Sequence, residues 1–183
     1  MKKVFGIGAV VFLLISAFTY SNEFVEVTAG EEISNGLEWH TDLKKAHDLS
    51  QKTGKPIFGF FTGSDWCGWC IKLQKEVFAK EDFVTWANDK VILLELDFPK
   101  RTAQPDDLKI QNRNLQQALG VRGYPTVWLF NSSVNDNGVF NIERIGSLGY
   151  PSGAVKGKEE EKFISSANML LKKSTTASAT SAN

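Results

Sequence analysis

The order of apolar and polar segments predicts an α/β fold, a central mixed β-sheet flanked by helices on both faces. Three observations carry this reading. Apolar runs at Ile57–Phe61, Val91–Leu96 and Thr126–Phe130 alternate with segments of helical periodicity, as crossover connections between strands require. Val91–Leu96 is almost continuously apolar, the pattern of a parallel strand covered on both faces. Asn137-Gly138 is a hairpin-turn signal, so Val139–Ile145 returns antiparallel to the strand before it.

Residues 1–21 read as a targeting segment. Lys2 and Lys3 form a basic start, Val4–Phe18 an apolar stretch, and Thr19 and Ser21 supply small residues for cleavage. An uncleaved anchor is the alternative, since the apolar stretch is near the lower limit for spanning a bilayer. No stop-transfer flank follows, which favours cleavage. Residues 22–36 are a polar lead-in, and Glu38-Trp39-His40 a short edge strand. Thr41 or Asp42 caps a helix with Leu43, Ala46 and Leu49 on one face and Gly54 at its end. His47 on that helix reads as a surface histidine. Lys55-Pro56 opens the strand Ile57–Phe61.

After the strand comes Ser64-Asp65-Trp66-Cys67-Gly68-Trp69-Cys70, holding the only two cysteines of the 183 residues. Cys70, Leu73 and Val77 then recur at helical spacing. Two thiols at a strand-to-helix junction suit disulfide exchange. The unpaired N–H groups and positive dipole end of a helix stabilise a thiolate, the species that attacks disulfides. A structural staple is a weaker reading, because so short a loop restricts the unfolded chain little. Half of a zinc site is weaker still. Zinc wants about four ligands, and the remaining candidates, His40 and His47, lie upstream and seven apart.

Lys80-Glu81-Asp82 begins a short helix with Phe83, Val84 and Ala87, followed by the strand Val91–Leu96 and a loop from Phe98 to Asp107. Asp106 or Asp107 starts the next helix, with Leu108, Leu115 and Leu119 as its stripe and Gly120 as its stop. Gly146–Gly157 reads as a glycine-bearing loop. The last helix begins near Lys158 and packs Phe163, Ala167, Leu170 and Leu171. From Ser174 to Asn183 the chain is Ser, Thr, Ala and Asn, a composition expected to be disordered. The main domain thus runs over residues 37–173.

Trp66-Cys67-Gly68-Trp69-Cys70 after a buried strand resembles the active site of the thioredoxin superfamily. Val121-Arg122-Gly123-Tyr124-Pro125-Thr126 is similar to that superfamily's cis-proline loop. The form Gly-Tyr-Pro-Thr is particularly similar to protein disulfide isomerase domains and small exported bacterial thioredoxin-like proteins. The resemblance spans about residues 37–173 and implies a thioredoxin fold. It implies Cys67 as an exposed nucleophile and Cys70 as the buried resolving thiol. It places Trp66, Gly68, Trp69, Tyr124 and Pro125 at the substrate-binding surface, with Pro125 leaving the preceding backbone free to pair with a substrate strand. Trp66 also reads as packing, and Trp69 equally as packing or as an apolar landing surface.

One position departs from the family pattern. Six residues before the first cysteine the best-known members carry a buried carboxylate, and here stands Phe61; its usual lysine neighbour is expected at Leu93. Asp65 and Glu95 are the candidate substitutes for moving a proton to and from Cys70. Burial beside Phe61 would raise the Cys70 thiol pKa.

The chain is formally neutral, so no basic excess points to nucleic acid, and neither cofactor nor metal is implied. A single close cysteine pair in a chain long enough for its own core leaves that pair free to cycle. These features predict an exported thiol–disulfide oxidoreductase, periplasmic or secreted in a bacterium and without a membrane span once its leader is removed. Its partners would be cysteine-containing proteins and an upstream redox partner, with reduction or repair the favoured direction. The rival is a non-enzymatic binding or chaperone module using Trp66, Trp69 and Tyr124, against which the intact cysteine pair argues.

Overall fold

The computed structural model describes residues 36–181, so the expected leader and most of the lead-in lie outside the described residues. The elements follow in the order β1 (Trp39–His40), α1 (Leu43–Thr53), β2 (Ile57–Thr62), α2 (Gly68–Leu73) and a π-helical turn (Gln74–Phe78). Then come α3 (Glu81–Lys90), β3 (Ile92–Asp97), α4 (Asp106–Leu119), β4 (Thr126–Val134), β5 (Phe140–Leu148) and α5 (Glu159–Ser181). The sheet order is β1-β3-β2-β4-β5. β1 and β2 run parallel to β3, whereas β4 is antiparallel to β2 and to β5. The mixed sheet expected from the sequence is therefore present, with β2 and its six buried residues inside it.

Local chemistry sets the element ends. Asp42 caps α1, its Oδ1 accepting the N–H of Lys44 at 2.6 Å and of Lys45 at 3.4 Å. Gly54 closes the helix at φ 71°, a left-handed conformation that costs glycine nothing, and donates its N–H to the Ser50 carbonyl at 2.8 Å. The third inward position of α1 is Ser50 rather than Leu49, which is half-buried; the Ser50 hydroxyl donates to the Lys55 carbonyl at 2.6 Å.

Alternation along β2 sends its side chains into two cores. Phe58 and Phe60 join Cys67, Cys70, Leu73, Val77, Phe78, Phe83, Trp86 and Phe163 on the face covered by α2, α3 and α5. Ile57 and Phe61 join Leu94, Leu96, Leu115, Leu119 and Phe130 on the face covered by α1 and α4. The first core is aromatic at its centre: Phe58, Phe78, Phe83 and Phe163 make six mutual ring contacts between 4.7 and 6.1 Å.

Several elements differ from expectation in their ends or in the face they bury. β4 extends past Phe130 to Val134, and β5 continues to Leu148, because their hairpin pairs Val134 with Phe140 and Val127 with Leu148. The α3 face includes Trp86, whose indole N–H donates to Asn168 on α5 at 2.8 Å. The α4 stripe turns on Asn112, Leu115 and Leu119, with Leu108 only half-buried. The segment from Ser174, expected to be disordered, continues α5 to Ser181. There the hydroxyls of Ser174, Thr175 and Thr176 donate back to the carbonyls of Leu171 and Lys172, so these polar side chains bond within their own helix.

Candidate functional site

The site forms where β2 ends and α2 begins. Cys67 is the N-cap of α2, in extended conformation, and its Sγ accepts the N–H of Cys70 at 3.2 Å. The two cysteines form a disulfide, with Cα atoms 5.2 Å apart. The turn before them is tied to β2 by the Cys67 N–H donating to the Gly63 carbonyl at 2.8 Å. Cys70 is fully buried, as expected. Cys67 is not the exposed thiol expected from the sequence: it is 6% exposed and belongs to the aromatic core, with Trp66 and Tyr124 packed against that core. Gly68 and Trp69 are what the turn presents to solvent, Trp69 at 57%.

Two straps hold the motif. Asp65 accepts the backbone N–H groups of Lys100, Arg101 and Thr102 at 3.0, 2.6 and 2.9 Å. The hydrogen bond from Lys100 leads these in holding its carboxyl below the ordinary carboxylate range. Ser64 donates its N–H and its hydroxyl to Asp97 at 2.8 and 2.5 Å. Trp66 is pinned beneath the same loop, its indole N–H donating to the Phe98 carbonyl at 2.8 Å and Lys100 Nζ lying 3.8 Å from its ring centroid. Asp65 is thus an anchor for residues 100–102, not a carboxylate turned toward Cys70.

Trp69 has its own shelf. Its ring meets Tyr150 edge-on at 5.1 Å, and Lys72 Nζ sits 4.8 Å from the Trp69 ring and 4.9 Å from the Tyr150 ring. The Tyr150 hydroxyl donates to Glu76, which holds the phenol pKa above its ordinary value. Tyr150 gave no signal in the sequence, since nothing local connects residue 150 to residue 69.

The Tyr124–Pro125 peptide bond is cis, and both residues are half-buried. Tyr124 packs edge-on to Trp66 at 5.7 Å and against Phe98 at 5.3 Å, and its hydroxyl accepts the side-chain N–H of Gln116 at 2.8 Å. Burial raises its pKa. Trp66, Trp69 and Tyr124 therefore do not form one open aromatic surface; Trp69 alone of the three is exposed.

Phe61 lies away from the cysteines. Its neighbour on β3 is Leu96, not Leu93, which pairs with Phe58. Phe61 stacks on Phe98 at 6.4 Å within the second core, so the strand residues in the same core as the disulfide are Phe58 and Phe60. His47 sits midway along α1, its Nδ1 2.8 Å from the Ser132 hydroxyl, with Phe140 edge-on at 5.3 Å. Among the described residues no cluster of three or more His, Cys, Asp or Glu could hold a metal ion, and no helix is long and apolar enough to cross a membrane.

Comparison with known proteins gives a consistent picture. A family described as thioredoxin-like domain matches residues 43–140. Disulfide bond reductase DsbH of Chlamydia pneumoniae is 32% identical over 116 residues, covering 63% of this chain and 69% of that protein. Thioredoxin-related protein DsbJ of the same organism is 28% identical over 137 residues, covering 75% of this chain but only 38% of its own length. Among solved structures, DsbH oxidoreductase superposes with a TM-score of 0.61 at 27% identity, covering 79% of this chain and 95% of the other. A thioredoxin from Thermus thermophilus, with a TM-score of 0.50 at 15% identity over 74% of this chain and 88% of the other, shares the fold.

Proposed function

From the premise that this chain belongs to the thioredoxin-like domain family, we propose that it is an exported thiol–disulfide oxidoreductase acting on cysteine-containing proteins. The observation that carries the reading is the Cys67–Cys70 disulfide at the N-terminus of α2. Opening that bond yields a Cys67 thiolate at the helix end where N–H groups and dipole favour negative charge. In the reducing direction, Cys67 attacks a substrate disulfide, forms a mixed disulfide and releases one substrate thiolate. Cys70 then attacks the Cys67 sulfur, the Cys67–Cys70 bond re-forms, and the second substrate thiolate leaves. The substrate gains two electrons, and an upstream dithiol partner returns two to the pair. Reduction is the favoured direction, supported by the reductase name of the Chlamydia pneumoniae relative.

Approach to the buried Cys67 sulfur comes along the exposed Gly68–Trp69 edge, with Trp69 contacting apolar substrate segments. The surface backbone at Arg122 and Gly123, ahead of Tyr124 and Pro125, pairs with an extended substrate strand. Residues 1–21 act as a leader to a bacterial periplasm or the exterior, where disulfides persist.

Insulin reduction with a thiol donor tests the activity. Cys67→Ser abolishes exchange, whereas Cys70→Ser accumulates mixed disulfides through Cys67. Equal insulin reduction by the wild type and the doubly substituted protein would overturn the reading. Intact mass of exported protein, expected to begin between about Tyr20 and Asn22, tests the leader; retention of Met1 in a membrane fraction would show an anchor.

A further inference from the structure

Thr62 closes β2 one residue before the turn that carries the cysteines. Its side chain is fully buried, and its hydroxyl has no hydrogen-bond partner. Such a group costs free energy that a valine of the same shape avoids, so its presence calls for a reason. The backbone gives none, since the Thr62 carbonyl already accepts the Phe98 N–H at 3.0 Å.

The strand's alternation fixes the face of the sheet on which the side chain lies. Ile57 and Phe61 pack in the core under α1 and α4, and a side chain at Gly59 would meet Phe130 and Leu96 of that same core. Phe58 and Phe60 pack with Cys67, Cys70 and Leu73. Thr62 falls in step with Phe58 and Phe60, on the disulfide's face. It directly precedes Gly63, whose carbonyl holds the Cys67 N–H. Of the two sulfurs, Cys67 Sγ already accepts the Cys70 N–H, while Cys70 is the one with no exposure at all.

We propose that Thr62 is a positioning residue for the redox pair: its hydroxyl, unpartnered while the disulfide is closed, donates a hydrogen bond to the Cys70 sulfur once that bond opens. This rests on the oxidoreductase reading and adds a residue to it. The hydroxyl keeps its own proton throughout. Two electrons and two protons from a dithiol, itself oxidised to a disulfide, open the Cys67–Cys70 bond, and the freed Cys70 thiol gains a donor inside an apolar core, where a polar group otherwise has little support. The hydroxyl is unsatisfied in the oxidised form and satisfied in the reduced form, so it shifts the couple toward the dithiol.

The test is the equilibrium of the pair with glutathione, measured for wild type, Thr62→Val and Thr62→Ser. Valine keeps the shape and removes the donor. It is expected to favour the disulfide by about tenfold in the equilibrium constant, a potential about 30 mV more negative. Oxidised Thr62→Val should unfold at a temperature no lower than the wild type, and serine should restore the wild-type equilibrium. A valine variant within twofold of wild type, or a serine variant that tracks valine, would overturn the proposal. Should the valine variant fail to fold, Thr62→Ala compared with Thr62→Ser reads the same difference. The glutathione equilibrium needs no protein substrate. A wild type that equilibrates with glutathione but reduces no protein disulfide would therefore sink the functional reading and leave the Thr62 comparison standing.

Discussion

Asp65 shows how one side chain in the motif shapes a distant stretch of backbone. Its carboxylate gathers three consecutive N–H groups from residues 100–102, and these bonds depress its pKa below the usual value. A carboxyl whose folded pKa lies below its unfolded one stabilises the fold above the unfolded value, about 3.9, and ceases to do so as pH falls through the lower folded value. Amide hydrogen exchange at Lys100, Arg101 and Thr102 should therefore be slow at neutral pH in the wild type and fast in Asp65→Ala. Unchanged protection in the variant would show that the loop holds itself. Asp65 looked like a proton carrier in the sequence because adjacency to Cys67 is visible there, whereas the loop that claims it lies over thirty residues away. Position 61 misled for a related reason. The motif spacing is legible, but the face of the sheet changes with every residue, and in this chain the buried polar side chain on the disulfide's face is Thr62, one residue on.

At the scale of elements, β2 carries the most constraint, with its six residues buried and neighbours on both edges. Gly59 lies at its middle, and a Cβ there would come within 2.9 Å of the Phe130 ring and 3.4 Å of Leu96. Both neighbours are packed core side chains without room to retreat. Gly59→Ala should cost about 1–3 kcal/mol through overpacking, read as a lowered urea midpoint with an unchanged slope. A neutral result would mean that Phe130 can rotate away. The central strands, the helix caps and the hairpin turn were legible because each rests on local chemistry: apolar runs, Asp42, Gly54, Gly120 and Asn137-Gly138. Strand lengths were not. The hairpin extends β4 to Val134 and β5 to Leu148 through pairs that mix polar and apolar residues, such as Ser132 with Ile142 and Trp128 with Ser147, and no local pattern announces that.

For the whole molecule, the division of the interior into two cores assigns the stability of the disulfide's surroundings to the aromatic one. Phe58 sits at its centre, contacting the rings of Trp39, Phe78, Phe83, Trp86 and Phe163 from four different segments. Phe58→Ala should cost about 3–5 kcal/mol, measured by denaturant unfolding of the oxidised protein. A loss below 1 kcal/mol would show that the cluster collapses onto the gap. The fold class followed from the sequence because order and type of elements constrain topology. The clustering of Phe58, Phe78, Phe83 and Phe163 in one of the two cores did not, since it depends on which face each strand turns toward which helix.

The π-helical turn Gln74–Phe78 gives the segment after Cys70 one residue more than a regular helix would hold, and it lets the adjacent Val77 and Phe78 both face inward. In the currency of chain length, this makes 74–78 a place where residue count matters more than residue identity. Lys75 is exposed, and its replacement by alanine should be silent. Its deletion would let the segment close to a regular turn, in which adjacent residues lie about 100° apart, so that Val77 and Phe78 no longer both face inward and Phe78 loses its contacts with Trp39, Phe60 and Phe83. Thermal unfolding of the two variants should separate sharply, and matching midpoints would show that the extra residue is expendable.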